Sequence, residues 1–535
     1  MSYLFLPIQF NAQAADDAST DNAIDLVFSK SRADDRRRWL STTFDAASFV
    51  DPGQESVTFE EFIDKELIQF SHADNHRSIP SAVDGLKPAQ RKILHGCFKR
   101  RLESDVKVVQ LAGYIAEQTA YHHGDASLHA TLINMAQDFV GSNNVPLLVP
   151  SGQFGTRAQG GKDFASPRYI FTRLSQVARA LYPSADDAIL DYLTEDGQAV
   201  EPKYFIPVIP TLLLNGCEGI GTGWSSFVPS FNPLDIIDVI ESRLRGGESA
   251  QSASSLAPWY RGFHGSMSRV EGGFVARGVA TVVDKSTVVI TELPIGKWTN
   301  DYKEFLCKMV AQGEIKSFVE DHTTDRVKFV VQAPKTDLAS VDLHSMFRLE
   351  AGISLANMHA FNKSGTISRY QSPEALLEEH FHVRLDAYKR RKESLSIRLA
   401  VDEEVSRNKA RFVDSILDGS LAIVSKGRAP KTEKELEKEL VEMGFAKMNK
   451  IRNRLITDVV DIESSDGDQG YGYLLSMPIS SLSKQRAASL VAAAAASLDK
   501  LNALAASSPE DLWLTDLQVL RKCLSGSIKA DSEAK

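Results

Sequence analysis

Cysteine is scarce in this chain, with four residues in 535, at positions 97, 217, 307 and 523. No two of them form a C-x-x-C pair. Neither a zinc framework nor a disulfide scaffold is indicated, and a reducing compartment fits. Long apolar runs are also lacking, and none approaches the length a membrane-spanning helix needs. The opening MSYLFLPIQF is apolar, but it has no basic stretch ahead of it and it contains Pro7. It does not read as a secretory signal. Net positive charge is the third lack. The formal charge is −9, which taken alone argues against a nucleic-acid partner. No repeat array is visible.

The remaining composition is that of a globular protein, 43% hydrophobic and 24% charged. The length implies roughly two to four domains. The cations are unevenly spread. Residues 77–107 hold eight Lys/Arg against three acids, and residues 157–179 hold five against one. Two basic islands in an acidic chain matter more for a polyanionic partner than the total does.

The pattern changes along the chain. Residues 1–22 read as a disordered leader and 23–56 as a charged helix with a linker. From 57 to 209 helical patterns alternate with Gly-rich loops. FEEFIDKELIQFSHADN places apolar residues at 59, 62, 63, 67 and 70, near helical period. LKPAQRKILHGCFKR opens with Pro88 in its first turn, where a missing N–H costs little, and Lys87, Arg91 and Lys99 fall along one face. Residues 210–365 are α/β, with strand-like runs in GVATVVDKSTVVITELP and VKFVVQAP. Residues 366–520 contain two long helical patterns. In the first, Phe381, Tyr388 and Leu395 repeat every seven, with Leu385 and Leu399 as a second row. In the second, Leu490, Ala494, Leu501 and Leu504 lie near a/d spacing. These two are expected to pair as an antiparallel coiled coil. SSDGDQGYG, between them, reads as an acidic loop, and 521–535 as a tail.

Several motifs invite a chemical reading. GIGTGW (219–224) fails the G-x-G-x-x-G spacing, so it is not a dinucleotide loop. TRAQGGKD (156–163) nearly copies a Walker A loop. However, Thr156 stands where the first Gly belongs, and Asp163 where a Ser/Thr would hold Mg²⁺. AYHHGDASLH brings His122, His123, Asp125 and His129 together without a metal-ligand pattern. The histidines suit hydrogen bonding to a phosphate or a nucleophile as well as a structural role. SPRYIFTRLS sets Tyr169 beside Arg168. A phenol with its ordinary pKa near 10 needs help to become a nucleophile. An adjacent guanidinium favours the phenolate and spreads charge on a reacting phosphate. Such a pair suits covalent attack on a phosphodiester, although a half-buried structural Tyr fits the spacing too.

Longer stretches carry a resemblance. RSIPSAVDGLKPAQRKILHGCFKR, AYHHGDASL, VGSNNVPLLVPSGQFGTRAQGGKDFASPRYIFTRLS, VEPKYFIPVIPTLLLNGCEGIGTGWSSFVPSFNP and ITELPIGKWT occur in that order. They resemble eukaryotic type IIA DNA topoisomerases, from about Ala23 to DLWLTDL near 517. The resemblance implies an α+β multidomain breakage–reunion core. Residues 23–56 would hold the trailing TOPRIM-like helix and linker, and 57–209 a winged-helix cleavage domain. Residues 210–365 would form an α/β tower, and 366–520 a coiled-coil arm with a helical C-gate. It implies Tyr169 as the nucleophile, Arg168 as its transition-state partner, and His122 and His123 as the active-site histidine pair. Arg77, Lys87, Arg91, Lys92 and Lys162 would contact DNA. Ile220 would wedge between base pairs.

The departures are equally specific. Pro167 precedes Arg168 where a small residue is usual, Asp125 replaces Glu, and Cys217 replaces Ala. Ahead of residue 23 there is neither E-G-D-S-A nor D-x-D-x-D, and no ATPase motif occurs. The resemblance therefore places Mg²⁺ and ATP on domains outside this chain, and no metal ligand is expected within it. It implies double-stranded DNA and a second copy of the chain as partners, an ATPase/TOPRIM polypeptide if the enzyme is split, no membrane, and a nuclear location. A truncated paralogue that binds and bends DNA, or poisons a complete enzyme, is the competing expectation.

Overall fold

The structure is a computed structural model. It describes residues 9–10, 17–246, 256–324, 326–333, 341–422, 431–455 and 470–533. Most of the SSDGDQGYG segment lies outside the described residues. Two compact units result, one formed by 1–182, 190–383 and 517–535, the other by 183–189 and 384–516.

The first unit begins with a helical layer. Helices Asp17–Phe28 and Ala33–Thr43 pack on a continuous helical stretch from Phe59 to Ser78 through Ala23, Trp39, Leu40, Ile63 and Ile68. Thr58 starts that stretch by accepting the Glu61 N–H. The expected disordered leader is corrected at two places. Residues 17–22 are already helical. Gln9–Phe10 pairs in parallel with Ser56–Val57, and the Phe10 ring stacks on Phe59 at 4.9 Å. Apolar Phe59 and Phe62 give this early segment a surface to join.

Three helices follow, Pro88–Arg100, Val108–Gln118 and Asp125–Ala136. They accompany a small antiparallel sheet whose middle strand, Phe171–Leu174, lies between Val106–Lys107 and Leu148–Ser151. This is the winged-helix arrangement. The tower region holds a three-stranded sheet, Ser266–Val270, Gly273–Arg277 and Glu350–Ser354. Beside it in sequence is a four-stranded antiparallel sheet in the order Val279–Asp284, Thr287–Glu292, Phe329–Gln332, Ser317–Glu320. Val288, Ile290, Phe329 and Val331 point from that sheet onto Leu306 and Met309 of helix Thr299–Ala311. The two central strands, Thr287–Glu292 and Phe329–Gln332, alternate buried with more exposed residues, as a sheet with one covered face requires.

The second unit is largely helical. Helix Pro373–Leu417 is 45 residues long and runs on into it. Lys484–Ala506 and the opening turns, up to residue 516, of helix Pro509–Glu533 return alongside. Ala410 and Val413 meet Ala487 and Leu490, Lys392 Nζ reaches Ser507 O at 2.6 Å, and Tyr388 stacks on Trp513. Rising numbers on one strand meet falling numbers on the other, so the pairing is antiparallel. A separate helical cluster is built from Phe412, Leu421, Leu440, Phe445, Tyr471 and Leu474. No helix among the described residues is long and apolar enough to cross a membrane.

Candidate functional site

Tyr169 sits two residues ahead of the central winged-helix strand. Its ring is 70% exposed, whereas the next residue, Ile170, is buried at 1%. The backbone beneath the phenol is pinned on both sides. Val108 N–H donates to Ile170 O at 3.1 Å, and Val109 N–H to Pro167 O at 3.2 Å. Tyr169 N–H closes a turn onto Ser166 O at 2.9 Å. Pro167 occupies the second position of that turn, where a fixed φ is favoured. The departure at Pro167 is thus compatible with a well-held phenol. Arg168 is exposed next to it.

The histidine loop runs into the N-terminus of helix Asp125–Ala136. His122 Nε2 lies 2.9 Å from Glu195 Oε1. The His123 ring meets Tyr121 edge-on at 5.4 Å. Burial, and then the charges of Arg77, His122 and Lys92, hold His123 below the ordinary imidazole range. His122 and Lys92 both approach the Glu195 carboxylate, at 2.9 and 3.9 Å. Arg77 Nη2 reaches Ser127 Oγ at 3.3 Å. Lys92 Nζ donates to Thr119 O at 2.6 Å and to the buried Glu201 carboxylate at 2.9 Å. Its charge is therefore largely committed within the fold.

Other expected DNA contacts are redistributed. Arg91 is corrected. Only 8% exposed, its guanidinium grips Asp84 with Nε to Oδ2 at 2.7 Å and Nη2 to Oδ1 at 3.1 Å. Asp84 also accepts the N–H groups of Leu86 and Phe205, each at 3.0 Å. This carboxylate organises three segments, and Arg91 neutralises it. Helical spacing put Arg91 on the Lys87 face but could not foresee a buried anion seven residues earlier. Lys87 is half-buried and donates to Glu218 O at 2.7 Å. In the second basic island Arg157 is buried against Glu292, Arg173 pairs with Asp105 at 2.6 Å, and Arg179 lies 3.6 Å over the Phe98 ring. Lys162 and Arg168 remain exposed. The near-Walker loop is closed on itself, with Thr156 Oγ1 donating to Asp163 Oδ2 at 2.6 Å.

Ile220 ends strand Cys217–Ile220 and is 77% exposed. Its hairpin returns through Ser225–Val228. The flanking glycines have a packing reason. A Cβ at Gly219 would stand 2.1 Å from Ser78 O, and one at Gly221 2.3 Å from Asn75 Oδ1. Only glycine lets the hairpin lie this close to helix Ile68–Ser78.

Among the described residues no group of three or more His, Cys, Asp or Glu side chains is arranged to hold a metal ion. The described residues do not form a Mg²⁺ site, and the 156–163 loop is closed on itself rather than open as a phosphate cradle.

Residues 77–518 match the DNA gyrase/topoisomerase IV A-subunit family. The chain belongs to that family. Residues 7–75 match the C-terminal associated domain of TOPRIM, which covers the short strand and first helices described above. DNA topoisomerase 2 of Arabidopsis thaliana is 40% identical, covering 95% of this chain and 36% of the relative. The mitochondrial DNA topoisomerase 2 of Dictyostelium discoideum is 41% identical, covering 95% and 38%. The chain therefore spans little more than a third of the curated relatives it matches. Among solved structures, the Plasmodium falciparum topoisomerase II DNA-binding, cleavage and re-ligation domain aligns with a TM-score of 0.84 at 38% identity. That alignment covers 96% of this chain and 71% of the other.

Motif reading missed the supporting residues. Asp84 was visible only as a charge to subtract from a basic island, and Glu195 and Glu201 lie outside both islands. Arg37 and Asn75, which hold the Ile220 hairpin, carried no signal of their own.

Proposed function

We propose that this chain is the DNA-cleavage and religation part of a type IIA topoisomerase. The observation that carries the reading is a solvent-facing phenol on a backbone pinned at Ser166, Pro167 and Ile170. Such a group is presented outward without being mobile, as a nucleophile for a large substrate must be. Tyr169 Oη attacks a backbone phosphorus and the bond to the 3′ oxygen breaks. A 5′-phosphotyrosyl ester forms and a 3′-hydroxyl leaves with a proton. Reversal reseals the strand, because the ester retains the bond's energy. Arg168 stabilises charge on the phosphate oxygens in the crowded intermediate state. His123, held neutral, accepts or donates a hydrogen bond beside the reacting phosphate, and Arg77 and Lys162 position the backbone. Ile220 enters the duplex as an apolar wedge and bends it.

Two copies, each cutting one strand, would open a gate for a second duplex and so change DNA topology. Mg²⁺ and ATP belong on TOPRIM and ATPase parts, in a longer chain or a partner polypeptide. A nuclear site of action is proposed, with an organelle as the alternative suggested by the Dictyostelium relative's description. The test is covalent trapping. Tyr169→Phe in the complete enzyme should abolish protein–DNA adducts and leave duplex binding within about twofold. Persistence of the adduct would reassign the nucleophile.

A further inference from the structure

The exposed Ile220 side chain has little packing of its own to aim it. Its aim comes from its hairpin, and three side-chain donors from separate parts of the fold hold that hairpin by its carbonyls. Lys87 Nζ holds Glu218 O at 2.7 Å. Asn75 Nδ2 holds Thr222 O at 3.0 Å. Arg37 Nε holds Gly223 O at 2.7 Å. The Arg37 guanidinium also lies 6.0 Å over the Trp224 ring, and Trp224 packs on the Trp39–Ile68 cluster. Gly221 N–H closes the tip onto Trp224 O at 2.9 Å. Asn75 is 4% exposed and lies directly beneath Gly221. Its Oδ1 has no hydrogen-bond partner. A buried amide left half-satisfied is held there for its other half, the donor to Thr222.

We infer that Arg37 and Asn75 are positioning residues for the Ile220 wedge. Arg37 lies on helix Ala33–Thr43, within the TOPRIM-associated segment, and Asn75 on the helix that also carries Arg77. The wedge is thereby fixed to the segment leading in from the TOPRIM side, and a shift of helix Ala33–Thr43 moves the hairpin tip. This rests on the reading of Ile220 as a DNA wedge.

The test measures end-to-end FRET of a short duplex saturated with the complete enzyme, in wild-type and Ile220→Ala backgrounds, alongside melting temperature. Arg37→Ala and Asn75→Ala should each lower the bent-to-straight ratio about fivefold, the factor for one buried hydrogen bond. Neither should lower it further when Ile220 is already Ala. Arg37→Lys keeps the charge but loses the planar fork, so it should give an intermediate loss at unchanged melting temperature. Wild-type bending in Arg37→Lys and Asn75→Ala would overturn the inference, as would equal losses in both backgrounds. Normal bending by Ile220→Ala alone would instead remove the wedge reading itself.

Discussion

Two tyrosines of this molecule stand beside arginines in opposite settings. At Tyr169 the phenol stands in solvent beside an exposed Arg168. At Tyr388, in the helical unit, the ring is fully buried. Arg384 lies 4.1 Å over its face, and its hydroxyl donates to Asp516 Oδ2 at 2.8 Å. Arg391 Nη1 reaches the same carboxylate oxygen at 2.5 Å, and Arg384 Nη1 reaches Asp186 at 2.7 Å. Burial, and then the Asp516 charge, hold the Tyr388 phenol well above the usual range despite the opposing pull of Arg384. A cation beside a phenol does not make a nucleophile. Access and the sign of the remaining neighbours decide it.

The comparison breaks most sharply at the two hydroxyls. Tyr169→Phe should remove covalent adducts altogether with an unchanged melting temperature. Tyr388→Phe should keep the adduct and cost about 1–3 kcal/mol of stability, because Asp516 loses a buried donor. Adduct yield and thermal melts on both variants check this. The arginines should divide in the same way. Arg91→Ala strands the Asp84 carboxylate in the interior and should cost about 3–5 kcal/mol, read by denaturant unfolding. Arg168→Ala should leave the melt unchanged and slow cleavage by roughly 10²–10³-fold in single-turnover assays.

Histidines give a subtler contrast. His95 is held at about 4, first by burial and then by Lys99 and Lys92. Its neutral form is favoured by the fold, so the unfolded chain binds more protons between pH 6.5 and 4. Stability from this site is complete above about pH 6.5 and is lost as pH falls towards 4. Melts across that window should show a decline that His95→Phe lessens. At the exposed site, Arg77→Ala removes a cation near His123 and should raise that imidazole's pKa, checked by NMR titration. The smallest expected effect is at Pro167→Ala, which frees the unfolded chain while leaving the turn bond in place. It should cost less than about 1 kcal/mol, with adduct formation retained.

The sequence showed some levels of this structure better than others. Long helical periods located the 373–417 and 484–506 helices and their antiparallel pairing, because repeats of seven persist over many turns. The seam itself adds Ala410, Val413 and Ala487 to Leu490 of the expected row. Exposure was the property least visible. Arg91 and Lys87 share a helical face, yet a buried Asp84 draws one inward and a hairpin carbonyl takes the other. Arg157 counted towards a basic island and proved to be the partner of Glu292. Such partners lie far off in sequence, where periodicity carries no information. Leader residues 9–10 escaped the reading for a related reason, since Phe59 and Phe62 pack on Phe10 from some fifty residues away.

Tyr169 is proposed as the group that joins to DNA. The most direct measurement traps the complete enzyme on duplex DNA with detergent, digests the DNA and protein, and maps the modified peptide by mass spectrometry. The expected result is a residual nucleotide on Tyr169, within the tryptic peptide Tyr169–Arg173. A nucleotide on any other residue, or an adduct that survives Tyr169→Phe, would contradict it.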